Sequence, residues 1–218
     1  MAKKVVTMGE LLLRLSTPGY ERFAQAESFE IVYGGAEANV AVSLAILGLD
    51  SYFLSQVPDN PIGQSALNYL KRYGVNTNLV VRDGDRVGIY YFEKGNSVRP
   101  SKVVYDRANS AITQVDADKI DFDEIFKDAD WFHFSGITPA LGQNCIKLAE
   151  KAAEAAKKHG VPISLDLNYR KQLWSYEEFE KVMPNLLQNV DVCFGWLSSI
   201  EEEKDEYKVA DFTKEEVN

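Results

Sequence analysis

The sequence predicts an α/β fold with a mainly parallel central sheet, helices on both of its faces and a small additional β layer. Apolar strand-like segments alternate with helical segments along most of the 218 residues, and strands separated by helices of this length form βαβ units. Right-handed crossovers then place helices on both faces of the sheet. Two β-rich stretches, near residues 11–33 and 86–106, interrupt the alternation and can meet in space as a second sheet.

Central strands are predicted where short apolar segments are bounded by turn or helix signals. They are expected at residues 5–8, 52–57, 79–82, 131–135, 162–167 and 190–194. The helices are expected at residues 36–47, 62–73, 143–159 and 176–188, and Gly48, Gly74 and Gly160 follow the first three as C-terminal caps. The first helix is predicted from its apolar residues Val40, Leu44 and Leu47. The β-rich segments are 11–15, 87–92 and 102–105, with a turn at 94–97.

Two glycines, Gly34 and Gly35, precede the first helix. Without a Cβ atom, paired glycines let the backbone approach a ligand closely, and a helix start leaves unpaired N–H groups. Glu37 and Asn39 add two polar side chains at the same mouth. This arrangement predicts a small polar pocket suited to hydroxyl groups, and the alternative is a tight turn before an ordinary core helix. The spacing is neither that of a dinucleotide-binding fingerprint nor that of a phosphate loop.

The composition excludes several classes of partner. A net charge of −9 argues against nucleic acid, whose binding needs clustered Lys and Arg, and no apolar run is long enough to span a membrane. Cys145 and Cys193 lack metal-type spacing and are expected to be buried free thiols, as in a reducing cytoplasmic compartment. His133 and His159 suggest no metal site. The acidic run at 201–218 is expected to be a solvated tail or an exposed helix.

Residues 33–48 resemble the N-terminal sugar-binding signature of the ribokinase-like (PfkB) carbohydrate kinases. Within that family, the form G-G-A-E-A-N-V-A is most similar to that of kinases acting on 2-keto-3-deoxygluconate. Met8-Gly9-Glu10 resembles the family's first strand exit, and 57–63 resembles its V-G-D-D-x-x-G turn with Pro58 and Asn60 as departures. Further similar segments follow in the family's order at 89–91, 99–111, 132–137 and 166–170, so the resemblance extends from residue 5 to about residue 192.

This resemblance implies a ribokinase-like three-layer α/β/α sandwich. The segments near 11–33 and 86–106 would form a β lid over the sugar, through which such enzymes often form homo-oligomers. The implied activity is ATP-dependent phosphorylation of a sugar acid, with 2-keto-3-deoxygluconate converted to its 6-phospho form. The implied cofactors are ATP and Mg²⁺, and neither nucleic acid nor membrane is expected as a partner.

A keto-deoxy sugar acid presents hydroxyl groups and one carboxylate, so its site needs a cation of fixed geometry. Arginine meets a carboxylate bidentately, and Arg107 and Arg170 are the candidates. Tyr105 lies two residues before Arg107, so both face the same way in a strand, and Tyr90 could face them from the paired strand. The alternative is that the tyrosines pack within the sheet and Arg107 is a surface charge.

The segment Asp166-Leu167-Asn168-Tyr169-Arg170 follows a predicted parallel strand, where ligands gather in open α/β sheets. Asp166, Asn168 and Arg170 alternate, so their side chains project together if the extended conformation persists. The family resemblance places Asn168 near phosphate or metal and Arg170 near substrate; the alternative is a capping loop with surface charges. The full predicted sugar-binding set is Gly34, Gly35, Asn39, Tyr90, Tyr105, Arg107 and Arg170, with Asn168 and Arg170 at the cofactor.

The resemblance breaks at the family's catalytic motifs. The sequence contains no Gly-Ala-Gly-Asp, the family motif that supplies the base and the anion hole. The metal-associated N-x-x-E is not recognisable, since Trp196 occupies the expected Asn position. We therefore expect residues 1–218 to be the N-terminal portion of a sugar kinase domain or a shortened homologue, inactive alone, with an incomplete sheet and uncovered apolar surface. The alternatives are a catalytically silent sugar-acid-binding module and a kinase for a neutral sugar such as fructose; the arginine pair favours an acidic sugar.

Overall fold

The computed structural model describes residues 2–195, so Trp196 and the acidic run at 201–218 lie outside the described residues. The strands are β1 (Lys4–Met8), β2 (Leu12–Ser16), β3 (Glu30–Gly34), β4 (Asp50–Val57), β5 (Val80–Arg82), β6 (Ile89–Glu93), β7 (Lys102–Asp106), β8 (Trp131–Ser135), β9 (Ile163–Asp166) and β10 (Val192–Phe194). The helices are α1 (Ala36–Ile46), α2 (Pro61–Arg72), α3 (Phe122–Phe126), α4 (Gln143–Lys158) and α5 (Tyr176–Leu187).

The central sheet has six strands in the order β10-β9-β8-β1-β4-β5, and every neighbouring pair is parallel. Each central strand and each long helix lies within a few residues of its predicted range. Gly48, Gly74 and Gly160 follow their helices with φ of 87°, 85° and 70°, a conformation that favours glycine. The predicted parallel α/β architecture is therefore confirmed.

A second sheet, which we call the outer sheet, has the order β3-β2-β6-β7. β2 pairs antiparallel with β3 and parallel with β6, while β7 completes an antiparallel hairpin with β6. The two β-rich stretches that interrupt the alternation thus meet in one sheet, as predicted, and it is separate from the central sheet.

Apolar residues on the two faces of the central sheet form two cores. On β4, Leu54 belongs to the core that packs under α3, α4 and α5, because neighbouring strand residues point to opposite faces. Phe53 belongs to the other core, which fills the space under α1, α2 and the outer sheet. Helices therefore cover both faces. The one-turn helix α3 and the 3₁₀ helices at Ala111–Gln114, Ala117–Lys119 and Pro139–Leu141 were not predicted, since they are too short to show periodicity.

Helix α1 packs differently from its predicted apolar pattern. Its buried residues are Ala38, Ala41 and Glu37, whereas Leu47 is 77% exposed. The small alanines allow α1 to lie close to β1, β4 and β8. Its larger apolar residues consequently line a neighbouring groove.

This apolar groove has a volume of about 740 Å³ and lies beside α1, over β1, β8 and β9. Its walls come from Lys3, Val5, Val40, Leu44, Leu49, Asp130, Trp131, His133, Pro162, Ser164 and Phe194. Strand β10, next to the groove, is exposed at all three residues, and Phe194 is 57% exposed. The expected uncovered apolar surface and exposed sheet edge are thus present among the described residues.

The two cysteines differ in burial. Cys145 is buried as predicted, and burial raises the pKa of its thiol to about 12. Cys193 is exposed, so the prediction of a buried thiol is wrong there, because β10 is an edge strand without a covering layer in the described structure. Within residues 2–195, no helix is both long enough and apolar enough to cross a bilayer.

Candidate functional site

A cavity of about 500 Å³ lies where the carboxyl ends of β1, β8 and β9 meet the outer sheet. Ligands in open parallel sheets gather at this edge of the strands. The cavity is lined by Glu10, Leu12, Gly35, Ala36, Glu37, Asn39, Tyr90, Tyr105, Arg107, Ile137, Asn168, Arg170, Gln172 and Leu173.

The two glycines before α1 have different roles. Gly35 is the residue before the helix and has an extended φ of 175°, so any residue could adopt its conformation. A Cβ atom on Gly35, however, would lie 2.1 Å from the carbonyl oxygen of Glu10. A Cβ on Gly34 would meet only Asn39 Oδ1, at 3.4 Å. Gly35 thus makes a close approach to the loop after β1, while the close approach of the glycines to a ligand stays a prediction.

Glu37 lies deeper than the sequence suggests. It is 1% exposed, and its Oε1 accepts hydrogen bonds from the Ser135 backbone N–H (3.0 Å), the Ser135 hydroxyl (2.6 Å) and the Thr138 hydroxyl (3.3 Å). Burial raises the pKa of Glu37, and these donors oppose that rise. Glu37 thus lines the cavity together with Asn39, as predicted, but its carboxyl is buried and hydrogen-bonded to protein donors. Its carboxyl ties the start of α1 to the loop after β8, which contributes Ile137 to the cavity.

Tyr90 and Tyr105 lie opposite each other on β6 and β7, as predicted. Their ring centroids are 5.8 Å apart. The guanidinium carbon of Arg107 lies 5.6 Å from the Tyr105 ring centroid, within cation–π range. The Arg107 side chain is only 13% exposed, so the alternative of a surface charge is wrong.

The Arg107 guanidinium is held by Glu10, which the sequence analysis did not propose as a site residue. Arg107 Nη2 donates to Glu10 Oε2, and the Ser110 hydroxyl donates to Glu10 Oε1 at 2.5 Å. Burial raises the pKa of Glu10, while the charge of Arg107 and the Ser110 hydrogen bond oppose the rise. The sequence signal for Glu10 was the Met8-Gly9-Glu10 strand exit, which gave no information about its partner.

The segment after β9 does not stay extended. Asn168 has a φ of 40°, which is rare for a residue with a side chain, and its N–H donates to Asp166 Oδ1 at 3.0 Å. Asn168 and Arg170, which follow the start of this turn, line the cavity, whereas Asp166 does not. The expected projection of all three side chains together is therefore wrong. Capping of the next helix belongs to Ser175, so the alternative of a capping loop is not supported.

The structure brings together every predicted site residue except Gly34, which ends β3 just outside the lining. Their roles in binding stay predictions. Sequence reasoning missed Leu12, Ala36, Ile137, Gln172 and Leu173, which carry no polar pattern or lie on loops whose path the sequence does not define. Among residues 2–195, no group of three or more His, Cys, Asp and Glu could hold a metal ion.

Comparisons with known proteins agree with this geometry. Residues 2–211 match the family described as pfkB family carbohydrate kinase. A curated relative, the 2-dehydro-3-deoxygalactonokinase of Haloferax volcanii, is 39% identical over 192 residues, which cover 88% of this chain and 60% of the relative. The crystal structure of the 2-dehydro-3-deoxygluconokinase of Thermotoga maritima is 51% identical with a TM-score of 0.86, covering 88% of this chain and 59% of that one.

A third similar structure is an uncharacterised sugar kinase of Pyrococcus horikoshii in complex with ATP. It is 26% identical with a TM-score of 0.75, and the match covers 87% of this chain and 62% of that one. This chain therefore spans about three fifths of the length of the relatives it matches.

Proposed function

Because the chain belongs to the pfkB family of carbohydrate kinases, we propose that its cavity binds a 2-keto-3-deoxy sugar acid, 2-keto-3-deoxygluconate. The chain would then carry the sugar-binding part of an ATP-dependent kinase that forms the 6-phospho product. The observation that carries this proposal is the convergence of Arg107 and Arg170 on one cavity that also presents hydrogen-bonding groups.

The chemistry of the lining suits such a ligand. A guanidinium binds a carboxylate by charge-assisted hydrogen bonds, which are stronger than neutral ones. Asn39, Asn168 and the hydroxyls of Tyr90 and Tyr105 supply donors and acceptors for sugar hydroxyls. The start of α1 adds backbone N–H groups beside Ala36. Kinase families recognise substrate through such positioned contacts, and phosphoryl transfer relies mostly on positioning and charge stabilisation.

The nucleotide would approach from the side of Asn168 and Arg170, at the carboxyl end of β9. ATP would supply the phosphoryl group, and Mg²⁺ would neutralise the negative charge of the phosphates. Asn168 would donate its amide N–H to a phosphate oxygen, and Arg170 would hold the substrate beside it. We assign no described residue as the base and none to the metal.

Isothermal titration calorimetry tests the proposal. We expect the chain to bind 2-keto-3-deoxygluconate more tightly than fructose, because only the acid offers a carboxylate. Arg170→Ala should weaken binding of the acid by about 1.5–3 kcal/mol, the range for a hydrogen bond to a charged group. Arg22→Ala is the matched control, since Arg22 is exposed and does not line the cavity.

Equal binding of both sugars would favour a kinase for a neutral sugar, and no binding of either would refute the proposal. The same preparation is assayed for ADP release with ATP, sugar acid and Mg²⁺. We expect no turnover by residues 1–218, because the sequence lacks the family motif that supplies base and anion hole. Turnover that disappears in Asp166→Asn would instead make Asp166 the base.

A further inference from the structure

Glu10 places a buried carboxylate directly against one of the two cavity arginines. Its side chain is 4% exposed, and both of its oxygens are engaged, one by Arg107 Nη2 and the other by the Ser110 hydroxyl. Glu10 lines the cavity, and through this contact it also fixes the position of the Arg107 guanidinium.

The Glu10–Arg107 ion pair joins the two sheets. Glu10 follows β1 of the central sheet, and Arg107 follows β7 of the outer sheet. Gly88, just before β6, leaves room for the pair, because a Cβ there would lie 2.7 Å from Glu10 Oε1 and 3.2 Å from the Arg107 Cβ. The other nearby guanidinium, on Arg86, is occupied by the side chain and carbonyl of Asp106. Within residues 2–195, Glu10 is thus the one carboxylate paired with Arg107.

The two cavity arginines differ in charge balance. Arg107 is mostly buried and its charge is compensated by Glu10 at contact distance. Arg170, by contrast, is exposed to solvent. In the cavity, the negative charge of Glu10 opposes the attraction of Arg107 for a ligand carboxylate, so the net attraction is weaker than that of an uncompensated guanidinium at the same distance.

We infer that Glu10 is a positioning residue of this site: it holds the Arg107 guanidinium against Tyr105 and cancels its charge, which leaves Arg170 to set the preference for an acidic sugar. This inference rests on the proposed function. In this arrangement Arg107 contributes directed N–H donors that serve acidic and neutral sugars alike. The selectivity for a carboxylate then depends on the charge at position 10 as well as on Arg170.

The isosteric variant Glu10→Gln tests the inference by calorimetry with 2-keto-3-deoxygluconate and fructose. Removing the carboxylate charge leaves Arg107 uncompensated, so the ratio of acid to neutral-sugar affinity should rise by about fivefold to tenfold. Ser110→Ala is the matched control, because it removes the other contact of Glu10 without changing charge, and its ratio should stay that of the wild type. If Glu10 had only a structural role, Glu10→Gln would weaken the binding of both sugars equally. An unchanged ratio of acid to neutral-sugar affinity in Glu10→Gln therefore overturns the inference.

A second measurement does not depend on sugar binding. In a crystal structure of Glu10→Ala, the Arg107 guanidinium should leave its place against Tyr105, and a guanidinium that stays there overturns the positioning role. If the wild type binds neither sugar, the proposed function fails, while this displacement still decides the role of Glu10. If Glu10→Ala does not fold, the affinity ratio of Glu10→Gln decides it.

Discussion

At the residue scale, the shape of the cavity depends on a missing side chain as much as on polar groups. Gly35 and Gly34 are adjacent and look equivalent in the sequence, yet only Gly35 lies where a Cβ would meet backbone, 2.1 Å from the Glu10 carbonyl oxygen. Real Cβ atoms do not approach an oxygen so closely, so either the helix start or the loop after β1 would have to move. The same movement would disturb Glu10, and with it Arg107.

We therefore expect the two glycine-to-alanine variants to differ. Gly35→Ala should lower the free energy of unfolding by about 1–3 kcal/mol, the usual cost of overpacking, and should weaken sugar binding. Gly34→Ala should change stability by less than about 0.5 kcal/mol, as is usual away from such features. Urea unfolding of the two variants and the wild type measures this, and equal losses would contradict the assignment of the close approach to Gly35.

Sequence reasoning succeeded for residues whose neighbours are close along the chain. The two-residue offset of Tyr105 and Arg107 was sufficient to place both on one cavity wall. It did not reveal the hydrogen-bond partners of Glu10 and Glu37, which lie 97 and 98 residues away. A single sequence shows that such residues are polar, but the fold decides whether they face solvent or a buried donor.

At the element scale, the start of α5 anchors the chain segment that forms one cavity wall. Ser175 and Glu178 form a reciprocal capping box. Tyr169 and Trp174, which flank the wall residues Gln172 and Leu173, pack their rings against Phe179 of α5. The position of this wall therefore depends on where the helix begins.

We expect Ser175→Ala to lower the free energy of unfolding by about 1 kcal/mol, the typical cost of losing an N-cap side chain. Ser43→Ala is the matched control, because Ser43 is exposed within α1 and bonds only the Asn39 carbonyl of its own helix. Chemical denaturation of both variants provides the measurement. A loss in Ser43→Ala as large as that in Ser175→Ala would show that the cap contributes nothing specific.

The predicted elements were accurate where periodicity extended over several turns or several strand residues, as in α2 and α4. Their glycine caps defined the helix ends. The parallel pairing of β2 with β6 was not accessible from the sequence, because two β-rich stretches fix neither the order nor the direction of their strands.

At the scale of the whole molecule, the outer sheet ends in an unprotected strand. β7 pairs only with β6 in the described structure, and all five of its residues are exposed, including Val103 and Val104. An exposed edge with apolar side chains is a template for pairing with another chain. We therefore retain self-association through the outer sheet as a prediction.

Val104→Lys should shift the chain from dimer towards monomer, because a charged side chain on an edge strand opposes strand addition. Val98→Lys is the matched control, since Val98 is 98% exposed but lies in the turn outside β7. Sedimentation velocity of the two variants distinguishes them. A monomeric wild type, or equal dissociation by both substitutions, would count against an interface at β7.

The position of β1 in the central sheet has a consequence for protein synthesis. β1 lies between β4 and β8, and β8 lies much further along the chain than β4 does. β8 is translated roughly 120 residues after β1, which at about 5–20 residues per second is a delay on the order of 6 to 25 seconds. During that interval the edge of β1 that pairs with β8 in the folded protein has no strand partner, so we expect β1 to pair with β4 alone until β8 has been synthesised.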